Sequence, residues 1–494
     1  MGSDLVIVYH RQPYEEVVEN GKTVFRENKS PNGIVPTLKS FFGRVDNAAW
    51  VAWKEAEDVT NPDFDRVIEI EDSFGKYTVS RLPLTAADVK SFYHVTSKEA
   101  FWPILHGFKD KYNYDPVDWG TFRKVNQAFA EAAAAEAAKG ASVWVHDYNL
   151  WLVPGYLRQM RPDLRISFFH HTPFPAADIF NVLPWRGEIV DSLLACDVVG
   201  FHIPRYASNF VSVVRSQYDV GDVPRVTVSD DFISEGSALS DRTQPVTIKT
   251  RDREVRLGVT PVGVDTDYIA EVTARDDTHK RAAEIREELG EAKLILSVGR
   301  TDYTKGGAEQ LLTFERFLQK HEDMRDKVRL LHVSVPANRN MTVYAEIQDE
   351  IEQIAGRING RFGTFNSNPV TLISRAIPFE TLVAYYRVAD VAWITPMADG
   401  MNLVCKEFAA SRDDEDGVLI LSEFAGAAIE LGSAILTNPY SHKNMDHAIE
   451  TALTMSPENR KSRMVELRRK VGIYNTARWA QDQLALLSPD DFGD

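Results

Sequence analysis

The chain has little cysteine, no basic excess and no long apolar run, and each shortage closes off a class of function. Its 494 residues include two cysteines, Cys196 and Cys405. They are far apart and lack metal-ligand spacing, which argues against a disulfide framework or a thiolate zinc site. Acids outnumber bases by 72 to 56, a formal net charge of -16. A general nucleic-acid or anionic-membrane binder needs the opposite balance. A small basic pocket for one phosphorylated metabolite stays compatible with this charge. No stretch approaches the roughly 20 apolar residues of a membrane span. The start, Met1 to Val8, lacks the charged and apolar regions of a secretory signal. These absences predict a cytoplasmic protein with no membrane and no nucleic acid among its partners. The loop from Gly299 to Gly307 lacks the Gly-Lys-Ser/Thr order of a Walker A loop and the spacing of a dinucleotide fingerprint.

What is present is ample core material, 44% hydrophobic and 10% aromatic. At this length it serves two domains or three. Short apolar runs at 5–9, 142–145, 165–169, 197–201, 294–298, 328–333, 370–373, 390–394 and 417–421 read as buried strands. Helical patterns at 34–42, 122–139, 306–320, 344–358, 379–386 and from 403 separate them. Strands are also expected at 50–53, 66–70 and 77–82, with helices at 88–94 and 98–106. Residues 12–30 read as a long polar segment, a surface loop of the kind that inside a compact domain is more often functional than idle, and 225–258 as a β ribbon around a polar loop at 229–250. Thr260-Pro-Val-Gly-Val264 looks like a linker. Alternation of this kind predicts an α/β protein with two Rossmann-like, doubly wound domains facing across a cleft. Their limits fall at 1–260 and 261–473, with a C-terminal helix, 474–494, returning to the first.

Two loops of the second half carry chemistry in their residue types. Gly299-Arg300-Thr-Asp302-Tyr-Thr-Lys305-Gly-Gly307 ends a strand and opens a helix. Arg300 as a planar fork and Lys305 as a point charge can clamp a diphosphate from two sides. Asp399-Gly-Met-Asn-Leu-Val-Cys-Lys-Glu407 also runs from a strand into a helix. Gly400 leaves room for a ligand near the backbone, and the first helical amides, around Met401 to Leu403, favour an anion or hydroxyls. Glu407 lies one turn deeper on the face of Leu403. Each loop alone is equally an ordinary connection with solvated charges. Together they suit a nucleotide-sugar, with diphosphate on Arg300 and Lys305, hydroxyls on Asp399 and ribose on Glu407. In the first half, strands deliver His10-Arg11, His146-Asp147 and His170-His171 to their C-terminal ends, which places an acceptor near Arg11, Asp147 and His171.

With these stretches the chain resembles the trehalose-6-phosphate synthase family of retaining glycosyltransferases, glycosyltransferase family 20. The matching segments are His146-Asp-Tyr148, Phe169 to Pro175, Gly299 to Gly306, Gly356-Arg-Ile-Asn-Gly360, Asp399 to Glu407 and Leu421 to Gly426. The resemblance implies a GT-B architecture. It also implies a donor site in which Asn32, Gly33, Ile377, Asp399, Gly400, Met401, Asn402, Leu403, Val404 and Glu407 meet the nucleotide-sugar. Arg300 and Lys305 would carry catalysis there, joined by Asp147 and His171 beside the reacting centre. Arg11, Tyr93, Trp102 and Arg339 match acceptor-side positions. At Tyr9-His-Arg-Gln-Pro-Tyr14, Ser30-Pro-Asn-Gly33 and His170-His-Thr-Pro173 the chain departs from the trehalose-forming pattern. It is similar there to family members that move glucose from ADP-glucose to glycerol 3-phosphate. No tightly bound cofactor and no divalent metal are implied. A separate phosphatase would act on the product, and homo-oligomerisation is left open. Trehalose-6-phosphate synthesis, coupling of cyclitols and a non-catalytic nucleotide-sugar-binding regulator are the alternatives.

Overall fold

A computed structural model describes residues 2–19, 22–27, 34–45, 47–251, 253–336, 342–365 and 367–487. Asn32, Gly33 and Arg339 lie outside these residues. The chain forms two compact units, one of residues up to Val228, Asp241–Pro261 and from Ala477 onward, the other of Ser229–Ser240 and Val262–Thr476. The segment 229–240, assigned to the first domain by the sequence, thus belongs to the second unit.

The first unit is built on a nine-stranded sheet. Across it run Thr247–Lys249, Glu254–Val259, Val198–Phe201, Arg165–Phe169, Ala137–His146, Ser3–Val8, Ala48–Glu55, Gly75–Leu84 and Val67–Asp72. All neighbours pair in parallel except the strand at each edge. The inner strands are apolar on both faces, as a sheet covered by helices requires. The chain leaves Ser3–Val8 toward one edge, then returns to its other side with Ala137–His146. This reversal of strand order is where open α/β sheets bind ligands, beyond the strands' C-terminal ends.

The second unit carries a six-stranded, wholly parallel sheet in the order Val370–Ile373, Val328–Pro336, Lys293–Thr301, Val391–Ile394, Val418–Ser422, Ile435–Thr437. Numbered within the unit this is 3-2-1-4-5-6, the dinucleotide-binding order, with its reversal between Lys293–Thr301 and Val391–Ile394. Gly356 to Gly360 sits on the helix Thr342–Phe362. There Asn359 exchanges two 2.9 Å hydrogen bonds with the backbone of Val370 and staples helix to strand. That motif is structural.

Several expectations are corrected. Within 12–30 the strands Tyr14–Glu19 and Lys22–Glu27 pair antiparallel, with Tyr14 and Phe25 in edge contact at 4.8 Å. The ribbon at 225–258 is two separate ladders, Arg225–Thr227 with Thr243–Pro245 and Thr247–Lys249 with Glu254–Val259. The alanine-rich helix, Trp119–Glu136, stops three residues before its helix propensity does. Ala137 already pairs with Ser3, and the Arg161 guanidinium donates to the carbonyls of Ala134, Ala137 and Ala138 at 2.9–3.2 Å. Strand pairing and this cationic cap override propensity.

The helices expected at 88–94 and 98–106 are bridged by a π-helix over Lys90–Phe101, followed by Trp102–Leu105. The hydroxyls of Thr96 and Ser97 each donate to the carbonyl five residues back, at 2.9 Å. At 3.6 residues per turn, nine residues make about two and a half turns and would set Tyr93 and Trp102 on opposite sides. In the wider i to i+5 helix nine residues are about two turns, so both share one face.

The last helix, Thr476–Leu487, packs within the first unit through Trp479. Its indole is buried among Phe41, Trp144 and Phe169, with ring centroids 5.4–5.7 Å away, and donates to the Thr260 carbonyl at 3.1 Å. Among the described residues no helix is long and apolar enough to cross a membrane.

Candidate active site

In the second unit, two loops leave adjacent strands at the point where strand order reverses, and backbone chemistry stitches them together. Asp302 caps the short turn Tyr303–Lys305, its Oδ1 accepting from the Thr304 amide and hydroxyl at 2.9 Å. Gly306 follows with φ 69°, and a Cβ there would lie 2.5 Å from the Thr395 carbonyl oxygen. Only glycine fits that conformation and that approach. The Thr304 carbonyl accepts from the Met397 amide at 2.8 Å. Lys305 and Asp399 are therefore delivered to one place, with Lys305 Nζ 2.6 Å from Asp399 Oδ2. Arg300 stands near the end of its strand and is exposed.

Asp399 is fixed from behind. Its amide donates to Phe424 O at 3.2 Å and its carbonyl accepts from Gly426 N at 3.1 Å. A Cβ on Gly426 would sit 2.0 Å from the Gly400 carbonyl oxygen, which explains a glycine there. The Met401 carbonyl accepts from Ala427 N at 2.9 Å. Asn402, at φ 78°, caps the helix Leu403–Ser411. Its Oδ1 accepts from Cys405 N at 3.2 Å, while its Nδ2 donates to Asp399 Oδ2 at 3.0 Å. The helix therefore starts at Leu403, as its apolar pattern predicts, and its first amides are those of Leu403 and Val404 rather than Met401. The Leu403 and Val404 amides are the two in the first turn that neither helix nor cap satisfies. Ile377, half-buried, follows the strand Val370–Ile373 in the same unit.

One turn deeper, Glu407 is fully buried and accepts from the Tyr386 hydroxyl at 3.0 Å. Burial pushes its carboxyl up to about 7, against the Tyr386 hydrogen bond, which lowers it. The sign of the resulting pH dependence follows. Below pH 4.5 the group is protonated in folded and unfolded chains alike. Between there and about 7 only the unfolded chain loses the proton, so stability falls as pH rises, by about 3 kcal/mol in total. Glu407→Gln keeps an acceptor for Tyr386 without the charge. It is expected to melt several degrees higher than the parent at pH 8, with the gain shrinking toward pH 5. Scanning fluorimetry at both pH values checks this, and an equal or lower melting temperature at pH 8 refutes it.

Beside Glu407, Lys406 and Glu430 form an ion pair at 3.0 Å with both side chains wholly buried. The Lys406 ammonium also donates to Val262 O at 2.8 Å. Sequence reading passed over this pair because a lysine next to a site acid looks solvated.

The first unit brings together a second set of groups. Asp147 follows the strand Ala137–His146 with φ 71° and ψ 160°, a conformation that disfavours every residue but glycine. It is held there by its amide, which donates to Phe169 O at 2.9 Å, and by its carbonyl, which accepts from Leu150 N at 3.0 Å. Its carboxyl is buried and pushed up to about 6 by that burial, against the amides of Tyr148 and His171 and the charges of Lys98 and Arg11. One of its oxygens, Oδ1, has no hydrogen-bond partner among the described residues. His171 lies beside His146, with His146 Nδ1 and His171 Nε2 3.1 Å apart and the rings stacked. Burial, and then His146 and three further histidines, hold His171 well below the ordinary histidine value, so its imidazole is neutral. Trp479 closes in at 6.3 Å.

Arg11 follows His10, whose ring meets Tyr93 at 5.4 Å. Trp102 meets Tyr148 at 6.1 Å. The Tyr93 hydroxyl also accepts from the Arg11 guanidinium, while Trp102 reaches Tyr148, the neighbour of Asp147. Lys98 belongs to the same cluster, over the rings of Tyr93, Trp102 and Tyr148, and escaped sequence reading. The nine-residue spacing of Tyr93 and Trp102 was a signal for it only if the helix was known to be a π-helix. Among the described residues no group of three or more histidine, cysteine or carboxylate side chains is placed to hold a metal ion.

The sequence profile described as Glycosyltransferase family 20 matches residues 3–488. A glucosylglycerol-phosphate synthase of Synechocystis sp. is 49% identical over 484 residues, 98% of this chain and 97% of that protein. A trehalose-6-phosphate synthase of Mycolicibacterium gilvum is 38% identical over 489 residues, 98% of this chain and 94% of the other. Among solved structures, a UDP-forming α,α-trehalose-phosphate synthase from Burkholderia xenovorans in complex with glucose 6-phosphate superposes with a TM-score of 0.84 at 28% identity. That match covers 98% of this chain and 99% of the other. With parallel sheets in two units and neighbours of the GT-B class, the chain belongs to glycosyltransferase family 20 and is a hexosyltransferase that transfers glucose.

Proposed function

We propose that the protein moves glucose, with retention, from ADP-glucose to sn-glycerol 3-phosphate, giving 2-O-(α-D-glucosyl)-sn-glycerol 3-phosphate and ADP. The observation that carries this reading is the meeting of the Lys305 ammonium with Asp399 beside the Leu403 and Val404 amides, at the strand-order reversal of the second sheet. A cation, an acid and open helical amides suit a diphosphate linked to a polyhydroxyl ring. The acceptor assignment draws on similarity, 49% to a glucosylglycerol-phosphate synthase against 38% to a trehalose-6-phosphate synthase.

In this reading the bond between the glucose anomeric carbon and the diphosphate oxygen breaks, with Arg300 and Lys305 stabilising the departing charge. The acceptor's 2-hydroxyl oxygen bonds to that carbon from the same face, and its proton passes to the leaving phosphate oxygen. Asp399 and the backbone of Gly400 to Asn402 hold the sugar, and Glu407 accepts from the ribose. Asn32, Gly33 and Ile377 complete the donor side. Asp147 and neutral His171 orient the reacting groups, while Arg11, Tyr93, Trp102 and Arg339 hold the acceptor. A separate phosphatase would release glucosylglycerol, a compatible solute, from the product.

The test is the purified protein with ADP-, UDP- and GDP-glucose, each against glycerol 3-phosphate and glucose 6-phosphate. Nucleotide release gives the rates and proton NMR the anomeric configuration of the product. ADP-glucose with glycerol 3-phosphate is expected to exceed every other pair by at least about tenfold in kcat/KM, the factor of roughly 1.4 kcal/mol. Faster turnover of glucose 6-phosphate would make trehalose 6-phosphate the product instead, and a β-linked product would overturn retention.

A further inference from the structure

The strand Lys293–Thr301 stays paired with Val328–Pro336 along its whole length, as far as Thr301 and Pro336. On its other side it pairs with Val391–Ile394 at Ile295 with Val391 and Leu296 with Ala392. Among the described residues that ladder stops there, so the two strands fork at the reversal of strand order. The loops that carry Lys305 and Asp399 leave from the two arms of this fork. Backbone groups between parted strands face no neighbouring strand and need another partner. One side chain supplies it. Gln310, 2% exposed, lies one turn into the helix Gly307–Lys320, and its backbone amide donates to the Gly306 carbonyl at 3.1 Å. Its Oε1 accepts from the Ser297 hydroxyl at 2.6 Å, on one arm. Its Nε2 donates to the Trp393 carbonyl at 2.9 Å and to the Thr395 hydroxyl at 3.0 Å, on the other. A primary amide has the acceptor and the donor of a peptide unit, so this side chain stands where the next rung would be.

We infer that Gln310 is a positioning residue for the transfer, which sets the width of the fork and thereby the place of the Lys305 ammonium against Asp399. This rests on the reading of the two loops as the donor site. Gln310 acts through other residues, from inside the sheet. Its backbone holds Gly306, the neighbour of Lys305, and its side chain holds Thr395, which opens the segment leading to Asp399. The same two residues approach closely, since a Cβ on Gly306 would lie 2.5 Å from the Thr395 carbonyl oxygen. The tips of the loops then meet as the 2.6 Å pair of Lys305 and Asp399. A loosened fork displaces that pair, and a shift of about 1 Å at the reacting centre costs about a hundredfold in rate.

The variants are Gln310→Met, which keeps the volume and loses the three side-chain bonds, and Gln310→Glu, which keeps the shape. Both are assayed with whichever nucleotide-glucose and acceptor the parent turns over fastest, so the outcome does not depend on ADP-glucose or glycerol 3-phosphate being the substrates. Gln310→Met is expected to lower kcat by about tenfold to a hundredfold, with KM for the acceptor within about twofold. In Gln310→Glu a protonated carboxyl still accepts from Ser297 and donates to Trp393, whereas the ionised form has no proton to donate. Burial raises such a carboxyl, so the rate of Gln310→Glu relative to the parent should climb as pH falls from about 8 to about 6. The double variant Lys305→Ala with Gln310→Met should be no slower than Lys305→Ala alone, within about threefold, because the two residues act in one chain. Losses that multiply overturn the inference. So does a kcat of Gln310→Met within about threefold of the parent at a temperature where its melt shows it folded, which would leave Gln310 a purely structural amide. Should Gln310→Met not fold, the Gln310→Glu ratio decides, and a ratio flat with pH overturns the inference. Parent-like turnover by Lys305→Ala would instead refute the donor-site reading itself, and the inference with it.

Discussion

Lys305→Ala is expected to cut kcat by about 10²–10³-fold, the loss seen when a preorganised group facing developing charge is removed. The melting temperature should move by no more than a few degrees. What places Lys305 does not depend on its side chain: the Asp302 cap, the left-handed Gly306 and the bond from Met397 N to Thr304 O are all set by other groups. Its ion pair with Asp399 is partly exposed, with side chains 19% and 14% accessible, so little stability goes with it. Asp399 keeps the Asn402 amide at 3.0 Å when the ammonium is gone. Arg300→Ala should fall in the same direction. Steady-state rates with saturating substrates, alongside thermal melts, make the check. A kcat within about threefold of the parent would remove Lys305 from the role of leaving-group stabiliser.

Asp147→Asn should suppress transfer by about 10²–10⁴-fold, the range for a positioned group that exchanges a hydrogen bond or proton with the reacting hydroxyl. The nucleotide-glucose should still bind. Because burial pushes the Asp147 carboxyl up to about 6, the charged form is lost as pH drops through that value. The parent's kcat/KM for the acceptor should therefore show an acid limb with a midpoint near 6, and the residual rate of the asparagine variant should lack it. Glu407, pushed up to about 7, titrates nearby, so its limb must be read from kcat/KM for the donor. A parent acceptor profile flat between pH 5 and 7 would show that Asp147 does not act in its charged form. The strained backbone gives a second handle. Asp147→Gly relieves a conformation that costs on the order of 1–3 kcal/mol and should melt higher while being no more active than the asparagine variant.

The parallel sheets could be read from the sequence because buried strands of this kind are continuous β-branched and aromatic runs, such as Val391–Ile394, between helical patterns. The two strand-to-helix loops of the second unit were legible for a similar reason. Gly306, Asp399 and Asn402 are residue types that a tight turn, an acid site and a helix cap demand locally. Lys98 could not be read this way, since its neighbours depend on an i to i+5 hydrogen-bond pattern that no side-chain periodicity announces. The Lys406–Glu430 pair was hidden because its partners are 24 positions apart and burial alone distinguishes them from surface charges. The paired strands Tyr14–Glu19 and Lys22–Glu27 were read as a polar segment because their residues are mostly polar and exposed, with no alternation to mark them.

Trp479 stands behind the histidines of the first unit, and it is made only after the whole second unit. During synthesis the strands Ser3–Val8 and Ala137–His146 emerge early, yet the indole that packs against Trp144 and Phe169 follows the whole second unit. The second unit can collapse while its own strands emerge consecutively, whereas the first must wait with apolar surface open beside Phe41 and Trp144. Long-range closure of this sort is slow and exposes the nascent chain to aggregation. Ribosome-bound intermediates should therefore carry a finished second unit and an unfinished first unit. Chaperone demand, more than equilibrium stability, would then limit how much of the enzyme a cell accumulates.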